Sequence, residues 1–322
     1  MNESGERRLE RSCGLSASDW IRVAPSCPGI ERLEASFSGH AFDPHRHDTY
    51  VIGFTLHGVQ SFDYRGMAQH SVAGQAFVLH PDETHDGRAG TPAGFRYRAL
   101  YVEPRLIQDA MGEPRCALPF VRDAVSNNTR LAMAIVPVLD DLDMPLEDLH
   151  RDQIVFNLTE ALAAVDSSVT RRRLSANHWR AVSDARDFLD ASVQKVVTSA
   201  QLEAITGLSR YELARQFRAC LGTSPYRYLI MRRLDQVRAL IQKGAPLADA
   251  AFSSGFADQS HMTRHFKRTY GMPPGRWVAT TVYPARDGLK LPQKANPASQ
   301  RANEKPLGKS ATSRGAQGSL RA

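Results

Sequence analysis

The stretch AAFSSGFADQSHMTRHFKRTYGMPP, residues 250–274, decides the reading of this 322-residue chain. A short helical run from Ala245 to Phe252 leads into it and reaches a turn at Gly255-Phe256. Asp258 stands where a helix N-cap belongs, because its carboxylate can accept from the backbone N–H groups of the first turn. The helix that follows buries Met262 and Phe266 and shows Gln259, His261, Thr263, Arg264 and Lys267 on its other face. Two short helices joined by a tight turn, the second with a polar outer face, form a helix-turn-helix, whose second helix enters the DNA major groove.

The layout occurs twice. Thr198-Ser199 caps a short helix containing Leu202 and Ile205, and Gly207 permits the turn, having no Cβ to obstruct a left-handed backbone. Ser209 caps the next helix, which buries Leu213, Phe217 and Leu221 and exposes Arg210, Tyr211, Ala214, Arg215 and Arg218. Both units end alike, FRACLGTSP at 217–225 and FKRTYGMPP at 266–274, with Phe217 and Phe266 49 residues apart. Such self-similarity is an internal duplication. Between the units, Pro225 to Lys243 reads as one long helix with Tyr226, Ile230, Leu234, Val237 and Ile241 on one face. It would hold the two units at a fixed separation. Residues 178–283 read as helical throughout.

On these motifs, residues of about 180–283 resemble the DNA-binding domain of the AraC/XylS family of bacterial regulators, with 250–274 as the specific signature. The resemblance implies that both second helices enter successive major grooves of double-stranded DNA. The DNA-contacting candidates are Arg210, Tyr211 and Arg215 from the first unit and Gln259, His261, Thr263 and Arg264 from the second. Arginine offers a bidentate fork to guanine, and glutamine can pair with adenine. Arg218, Lys267 and Arg268 read better as phosphate-contacting or solvated, since half or more of such contacts go to the backbone. For Arg215 and Arg264 the family role is also partly structural. One position departs from the pattern: four residues before the turn glycine the family has a small residue, as at Ala251, but the first unit has Glu203. That departure bears on how the first unit docks. The resemblance further implies transcription activation, RNA polymerase as a partner and a homodimer.

Residues 30–102 carry short stretches of period-two patterning bounded by Gly or Pro: 50–56 before Gly58, 60–65 before Gly66, 76–79 before Pro81, and an alternation across 95–102. This pattern predicts an all-β sandwich or barrel. Amphipathic helices follow at 127–142 and 148–165, the second with Leu149, Ile154, Val155, Leu158, Leu162 and Val165 on one stripe. The runs FDPHRHDTYVIG (42–53), FDYRG (62–66) and GQAFVLHPDETH (74–85) resemble the cupin-type effector domain of AraC-like regulators. That resemblance implies a small barrel holding a small-molecule effector. The candidate effector residues are His45, His47, Tyr50 and His85. His45 and His47, two apart, face one side of a strand, and His85 follows a later strand. Three histidines can hold zinc or iron, but the carboxylate that metal cupins place after the pair is missing from its usual position near Tyr50-Val51. No metal and no cofactor are therefore expected, and hydrogen bonding to a polar effector is the favoured role. Phe62, Tyr64, Arg96, Arg98 and Tyr101 are further candidates for the cavity wall, each as readily core or surface.

Composition and charge set the limits. Residues 1–171 carry a net −8, residues 172–283 a net +9 and residues 284–322 a net +6, giving +7 overall. An acidic first half joined to a basic second half points to a polyanion met by the second half only. No run approaches the roughly 20 apolar residues of a membrane span, and residues 1–11 lack a secretory apolar core. The cysteines Cys13, Cys27, Cys116 and Cys220 lack metal-type spacing and read as reduced thiols.

The expected fold class is α+β multidomain: an N-terminal cupin-like β-barrel with following helices, and a C-terminal all-α domain of two helix-turn-helix units joined by a long helix. The expected boundaries are a disordered 1–20, an effector and dimerisation domain at 21–167, a linker at 168–179, the DNA-binding domain at 180–283 and a disordered basic tail at 284–322. The expected function is a cytoplasmic bacterial transcription regulator, nucleoid-associated when bound to DNA, with no catalytic residues. Two rival readings are a metal-dependent cupin enzyme fused to a DNA-binding domain and an architectural DNA-binding protein without an effector.

Overall fold

The structure is a computed structural model describing residues 19–112, 117–168 and 173–282. The N-terminal segment before Asp19, the basic tail, Cys13 and Cys116 lie outside the described residues. Trp20, expected at the end of a disordered stretch, instead opens the first strand.

Among the described residues ten strands form one curled, half-barrel sheet: β1 (Trp20–Val23), β2 (Ile30–Phe37), β3 (His40–His45), β4 (Tyr50–Tyr64), β5 (Met67–Val72), β6 (Ala76–Leu79), β7 (His85–Ala89), β8 (Phe95–Val102), β9 (Val125–Ser126) and β10 (Thr281–Val282). The main path runs β10-β1-β2-β8-β4-β6-β9, with β3 on β7 and both β5 and β7 on β4. The sequence reading ended one strand at Gly58 and began another at Gln60; the chain instead continues as the single strand β4. Gly58 has φ +71° and a bulge lies between Thr55 and His57. The glycine therefore bends the strand across two parts of the sheet rather than ending it.

Strand parity decides what β8 presents. Phe95, Tyr97 and Ala99 are buried on one side, while Arg96 and Arg98 reach the opposite side, which Leu100 shares, and both engage Glu34 of β2. Of the alternatives left open for these two arginines, cavity wall, core or surface, neither lines the cavity. Arg98 donates to the carbonyls of Leu139 (2.7 Å) and Asp140 (2.9 Å), and Arg32 donates to those of Val138 (3.2 Å), Asp141 (3.0 Å) and Met144 (2.5 Å). The carbonyls of Val138, Leu139, Asp140 and the C-cap Asp141 close the helix α2 (Thr129–Asp140), and that of Met144 belongs to the turn beyond it. Two guanidinium groups thus satisfy its C-terminal end, where cations are favoured.

Helices α1 (Pro104–Met111), α2 and α3 (Asp148–Ala164) cover this outer side. They share a core with Tyr50, Ile52, Val78, Leu100 and Val102 of the sheet. Helix α3 buries Ile154, Val155, Leu158 and Leu162 as its spacing predicts, but Leu149 is exposed.

The C-terminal half is α4 (Ala176–Asp190), α5 (Ser199–Thr206), α6 (Arg210–Leu221), α7 (Pro225–Gln242), α8 (Leu247–Ser253), α9 (Gln259–Tyr270) and α10 (Pro274–Thr280). It is not helical to its end: Thr281-Val282 form β10, which pairs in parallel with β1 through Ile21↔Thr281 and Arg22↔Val282. One hydrophobic core joins Ile21, Val23 and Leu33 of the sheet to Ile230 and Leu234 of α7, Phe266 of α9 and Trp277 of α10. The first helix-turn-helix keeps a separate core around Leu189, Leu202, Leu213, Phe217 and Leu229. Tyr226, expected on the buried face of α7, is exposed. Among the described residues no helix is long and apolar enough to cross a membrane.

Candidate functional site

The helix-turn-helix units form as their local sequence directs. Thr198 and Gln201 make a capping box on α5, Gly207 takes the left-handed turn at φ +68°, and the Ser209 hydroxyl accepts from the N–H of Glu212 at 3.3 Å. In the second unit Asp258 accepts from the N–H of His261 at 2.7 Å, and Gly255 sits at φ +80°. Caps of this type set where each recognition helix begins and hence which residues lead its first turns.

Each candidate DNA residue has a definite place. Arg210, Tyr211 and Arg215 are exposed on α6, as are Gln259 and Arg264 on α9. Thr263 and His261 are half-buried. The His261 ring packs on Phe256 and lies with its Nε2 3.1 Å from Nε2 of His265. Burial and the His261 ring beside it push the His265 ring down to about 4. Arg210 is not idle: Glu203 accepts its backbone N–H at 2.8 Å and its guanidinium at 3.0 and 3.1 Å. The unusual residue four places before the turn glycine therefore ties α5 to the first turn of α6.

The C-terminal ends of both recognition helices are held by the sheet domain. Arg218 of α6 pairs with Asp82 at 3.3 Å and Lys267 of α9 with Asp43 at 2.7 Å. Phosphate or solvent was the expected partner of both cations; here each has a carboxylate. The Asp43 N–H donates to the Gly271 carbonyl at 2.8 Å, and the Arg46 N–H to that of Arg268 at 3.1 Å. Gly271, at φ +67°, lies so close that a Cβ there would stand 2.7 Å from His45 Nδ1 and 2.9 Å from the Asp43 carbonyl oxygen.

Further ion pairs run along α7. Arg227 Nε lies 2.7 Å from Asp82, Arg232 pairs with Asp48 at 3.0 Å and Glu103 at 3.3 Å, and Arg238 pairs with Glu31 at 2.7 Å. Burial raises the Asp48 carboxyl to about 6 against the opposing pull of Arg232. Sequence reasoning missed Asp43, Asp48 and Asp82 as a set. Their signal was the acidic residues inside the two histidine-bearing runs, 42–53 and 74–85.

A cavity of about 240 Å³ lies between the sheet and the helices. Leu33, Tyr97 and Tyr101 wall it from the sheet, Met231 and Trp277 from α7 and α10, His45 from the end of β3 and His47 from the loop after it. Arg232 and Arg238 bring their ion pairs to its edge. Of the further wall candidates, Tyr101 alone is among its lining residues.

The structure brings three of the four effector candidates together. The rings of His45 and His85 have centroids 4.2 Å apart, those of His47 and His85 4.9 Å, and those of His45 and His47 6.0 Å. His45 ends β3 and His47 lies beyond it, so convergence comes from the loop and from the His45↔His85 strand pairing rather than from strand parity. Burial first, and the neighbouring rings second, hold His45 and His47 well below the ordinary histidine range. Burial also lowers His85 to about 4. Tyr50 is elsewhere: fully buried under the outer helices, it donates its hydroxyl to the Pro119 carbonyl at 2.7 Å.

Comparison with known proteins agrees with this architecture. Residues 28–159 match the AraC-like ligand binding domain and residues 202–280 a helix-turn-helix domain. The HTH-type transcriptional regulator YbfI of Bacillus subtilis is 28% identical over 223 residues, covering 69% of this chain and 81% of that protein. An AraC-like transcription regulator of Streptomyces antibioticus is 36% identical over 29% of this chain, but the match spans only 31% of its own length. Among solved structures, ToxT from Vibrio cholerae superposes with a TM-score of 0.56 over 78% of this chain and 98% of its own, at 11% identity, a likeness of fold. With a ligand-binding domain ahead of paired helix-turn-helix units, the chain belongs to the AraC-like transcription regulators.

Proposed function

We propose that the protein is a ligand-responsive activator that binds promoter DNA through α6 and α9 as a homodimer and engages RNA polymerase there. Its place of action on this reading is the bacterial cytoplasm, on nucleoid DNA. Arg210, Tyr211 and Arg215 of one unit and Gln259, His261, Thr263 and Arg264 of the other read the major groove. The exposed arginines carry the discrimination, since a bidentate guanine contact is worth about 1–3 kcal/mol against a wrong base.

The observation that carries the regulatory reading is the cavity shared by the sheet and by α7 and α10. An occupant there touches both halves of the molecule. It shifts the arrangement of the DNA-binding helices only if it binds two arrangements with unequal affinity, and a shared wall supplies that inequality. Its aromatic and aliphatic walls, with His45, His47, Arg232 and Arg238 at their border, suit a small molecule with an apolar body and a polar end. ToxT of Vibrio cholerae has been solved with an unsaturated fatty acid bound, an effector of that general character.

Genome-wide chromatin binding in the native host tests the proposal, comparing the wild type with Arg264→Ala and with the cavity-filling Leu33→Phe. Discrete peaks that share a motif and weaken in Arg264→Ala support specific regulation. Peaks retained in Leu33→Phe, with transcription no longer responsive to growth conditions, support effector control through the cavity. Diffuse binding indifferent to Arg264→Ala sinks the reading in favour of an architectural protein.

A further inference from the structure

We propose that His45, His47 and His85 form a binding site for one divalent transition-metal ion of the zinc class. Each ring is anchored on its far side. His45 Nδ1 lies 2.9 Å from the Asp43 carbonyl, His47 Nδ1 3.1 Å from that of Thr49, and His85 Nδ1 3.0 Å from that of Glu83. A carbonyl oxygen only accepts, so these contacts assign the proton to Nδ1 of each ring, and the Thr49 hydroxyl, 3.2 Å from His47 Nδ1, can accept there too. The neutral ring then has one lone pair left, on Nε2.

One ring nitrogen of each histidine lies within 4.8 Å of the other two, and all three residues are buried. With Nδ1 committed outward, the atoms that meet are the three acceptors. They cannot satisfy one another. His47 Nε2 is sealed from solvent with no hydrogen-bond partner. A water molecule has two protons and serves at most two of the three. A metal cation serves all three at once.

The donor set selects the ion. Three neutral imidazoles suit zinc and its first-row neighbours and not magnesium or calcium, which take oxygen ligands. Bonds of about 2.1 Å to a tetrahedral ion need nitrogens about 3.4 Å apart, which small ring rotations supply. The outward carbonyls of Asp43, Thr49 and Glu83 are the kind of orienting partner that fixes ligating histidines. No carboxylate joins the set, because Asp48 is taken by Arg232 at 3.0 Å. The ion therefore keeps an open coordination position, as three-histidine sites do. His45 and His47 border the cavity and His85 borders a groove beside Tyr64 and Glu83, so the site stands in the wall between the two. The site also abuts the second helix-turn-helix, because His45 packs against Gly271 and the Asp43 that orients it holds Lys267. The site stands independently of effector binding and of DNA binding.

The test uses the full chain, stripped with a chelator and titrated with Co²⁺ as a visible-absorbing probe, then back-titrated with Zn²⁺. Saturation at one ion per chain is expected, with the Co²⁺ spectrum of a four- or five-coordinate ion. His47→Ala and His85→Ala each lower the affinity by at least about 100-fold. His265→Ala leaves it unchanged, which separates this site from the His261–His265 pair. X-ray absorption on the wild-type Zn²⁺ form counts the imidazoles directly and does not depend on any variant folding. Three imidazoles are expected. Fewer than three, no saturation at one ion, retention of binding in His85→Ala, or its loss in His265→Ala overturns the site.

Discussion

The carboxylate of Asp82 stands 2.7 Å from Nε of Arg227, joining a loop of the sheet domain to the start of the helix between the two DNA-binding units. Arg46 and Arg218 approach the same carboxylate at 3.5 and 3.3 Å, and its side chain is almost wholly buried. Asp82 adopts φ +60°, a conformation that aspartate and asparagine tolerate better than most residues. Asp82→Asn keeps the backbone and removes the charge. Arg227, itself largely buried, then has no counterion. Breaking such a pair costs about 3–5 kcal/mol, and remaining hydrogen bonds, such as that from Arg227 to the Arg46 carbonyl at 2.8 Å, place the effect at the lower end. Urea denaturation of the variant reads it as a lowered midpoint; an unchanged midpoint would show that the cluster does not hold the fold.

If Arg210 reads DNA as proposed, Glu203 competes with DNA for it. Its replacement by alanine, the small residue found at the equivalent Ala251, releases that guanidinium. The expected result for Glu203→Ala is tighter non-specific DNA binding, with a steeper salt dependence by about one phosphate contact. Fluorescence anisotropy across a salt series measures both. An unchanged slope would place Arg210 away from the DNA backbone.

Arg215, Arg264 and Arg268 are the exposed arginines on the two recognition helices that have no carboxylate partner among the ion pairs described, and Arg215 and Arg264 are the two of them proposed to read bases, whereas Lys267 is paired with Asp43. Arg215→Ala and Arg264→Ala are each expected to weaken binding to the specific site by roughly 5- to 150-fold, the equivalent of about 1–3 kcal/mol. Lys267→Ala should leave sequence preference intact. Competition binding against scrambled DNA distinguishes these outcomes, and equal losses on both DNAs would reassign the arginines to the backbone.

His80 supplies a pH dependence. Its Nε2 accepts from the Val121 N–H at 3.0 Å in a buried setting, and burial followed by nearby Arg65 lowers it to about 4. An unfolded histidine titrates near 6.5, so below that pH the unfolded chain binds a proton that the folded chain refuses. Stability is thus highest above about 6.5 and falls as the pH drops towards about 4. The span of about 2.5 units corresponds to about 3 kcal/mol from this residue. In chelator-treated protein, His80→Gln should flatten the decline in unfolding free energy between those limits by up to one proton. No flattening would mean that another group controls acid unfolding.

The DNA-binding half was readable because its signals are local. Caps at Thr198, Ser209 and Asp258, turn glycines at 207 and 255, and the four-residue spacing of Leu213 and Phe217 each act within one or two helical turns. The assignment to a family of regulators, and with it a non-enzymatic role, followed from the same residues. What escaped was long-range. Gly58 reads as a strand end because nothing local says that the chain continues into a second part of the sheet. Tyr50 and Tyr101 are both aromatic residues of β-like runs, and only the register of β4 on β8 sends one under the outer helices and the other to the cavity. The charge asymmetry was correct as arithmetic and incomplete as physics. Arg218, Arg227, Arg232, Arg238 and Lys267 meet acidic groups of the first half, so part of the opposite charge is spent inside the molecule.

The pairing of β10 with β1 gives the chain a second mooring. Its two halves are joined covalently through the segment between α3 and α4, and again where Thr281 and Val282 lie alongside Ile21 and Arg22. A body fixed at one point can turn about three axes, while one fixed at two points can turn only about the line between them. Reorientation of the recognition helices must therefore release these two rungs together with the ion pairs and the common core that restrict it further.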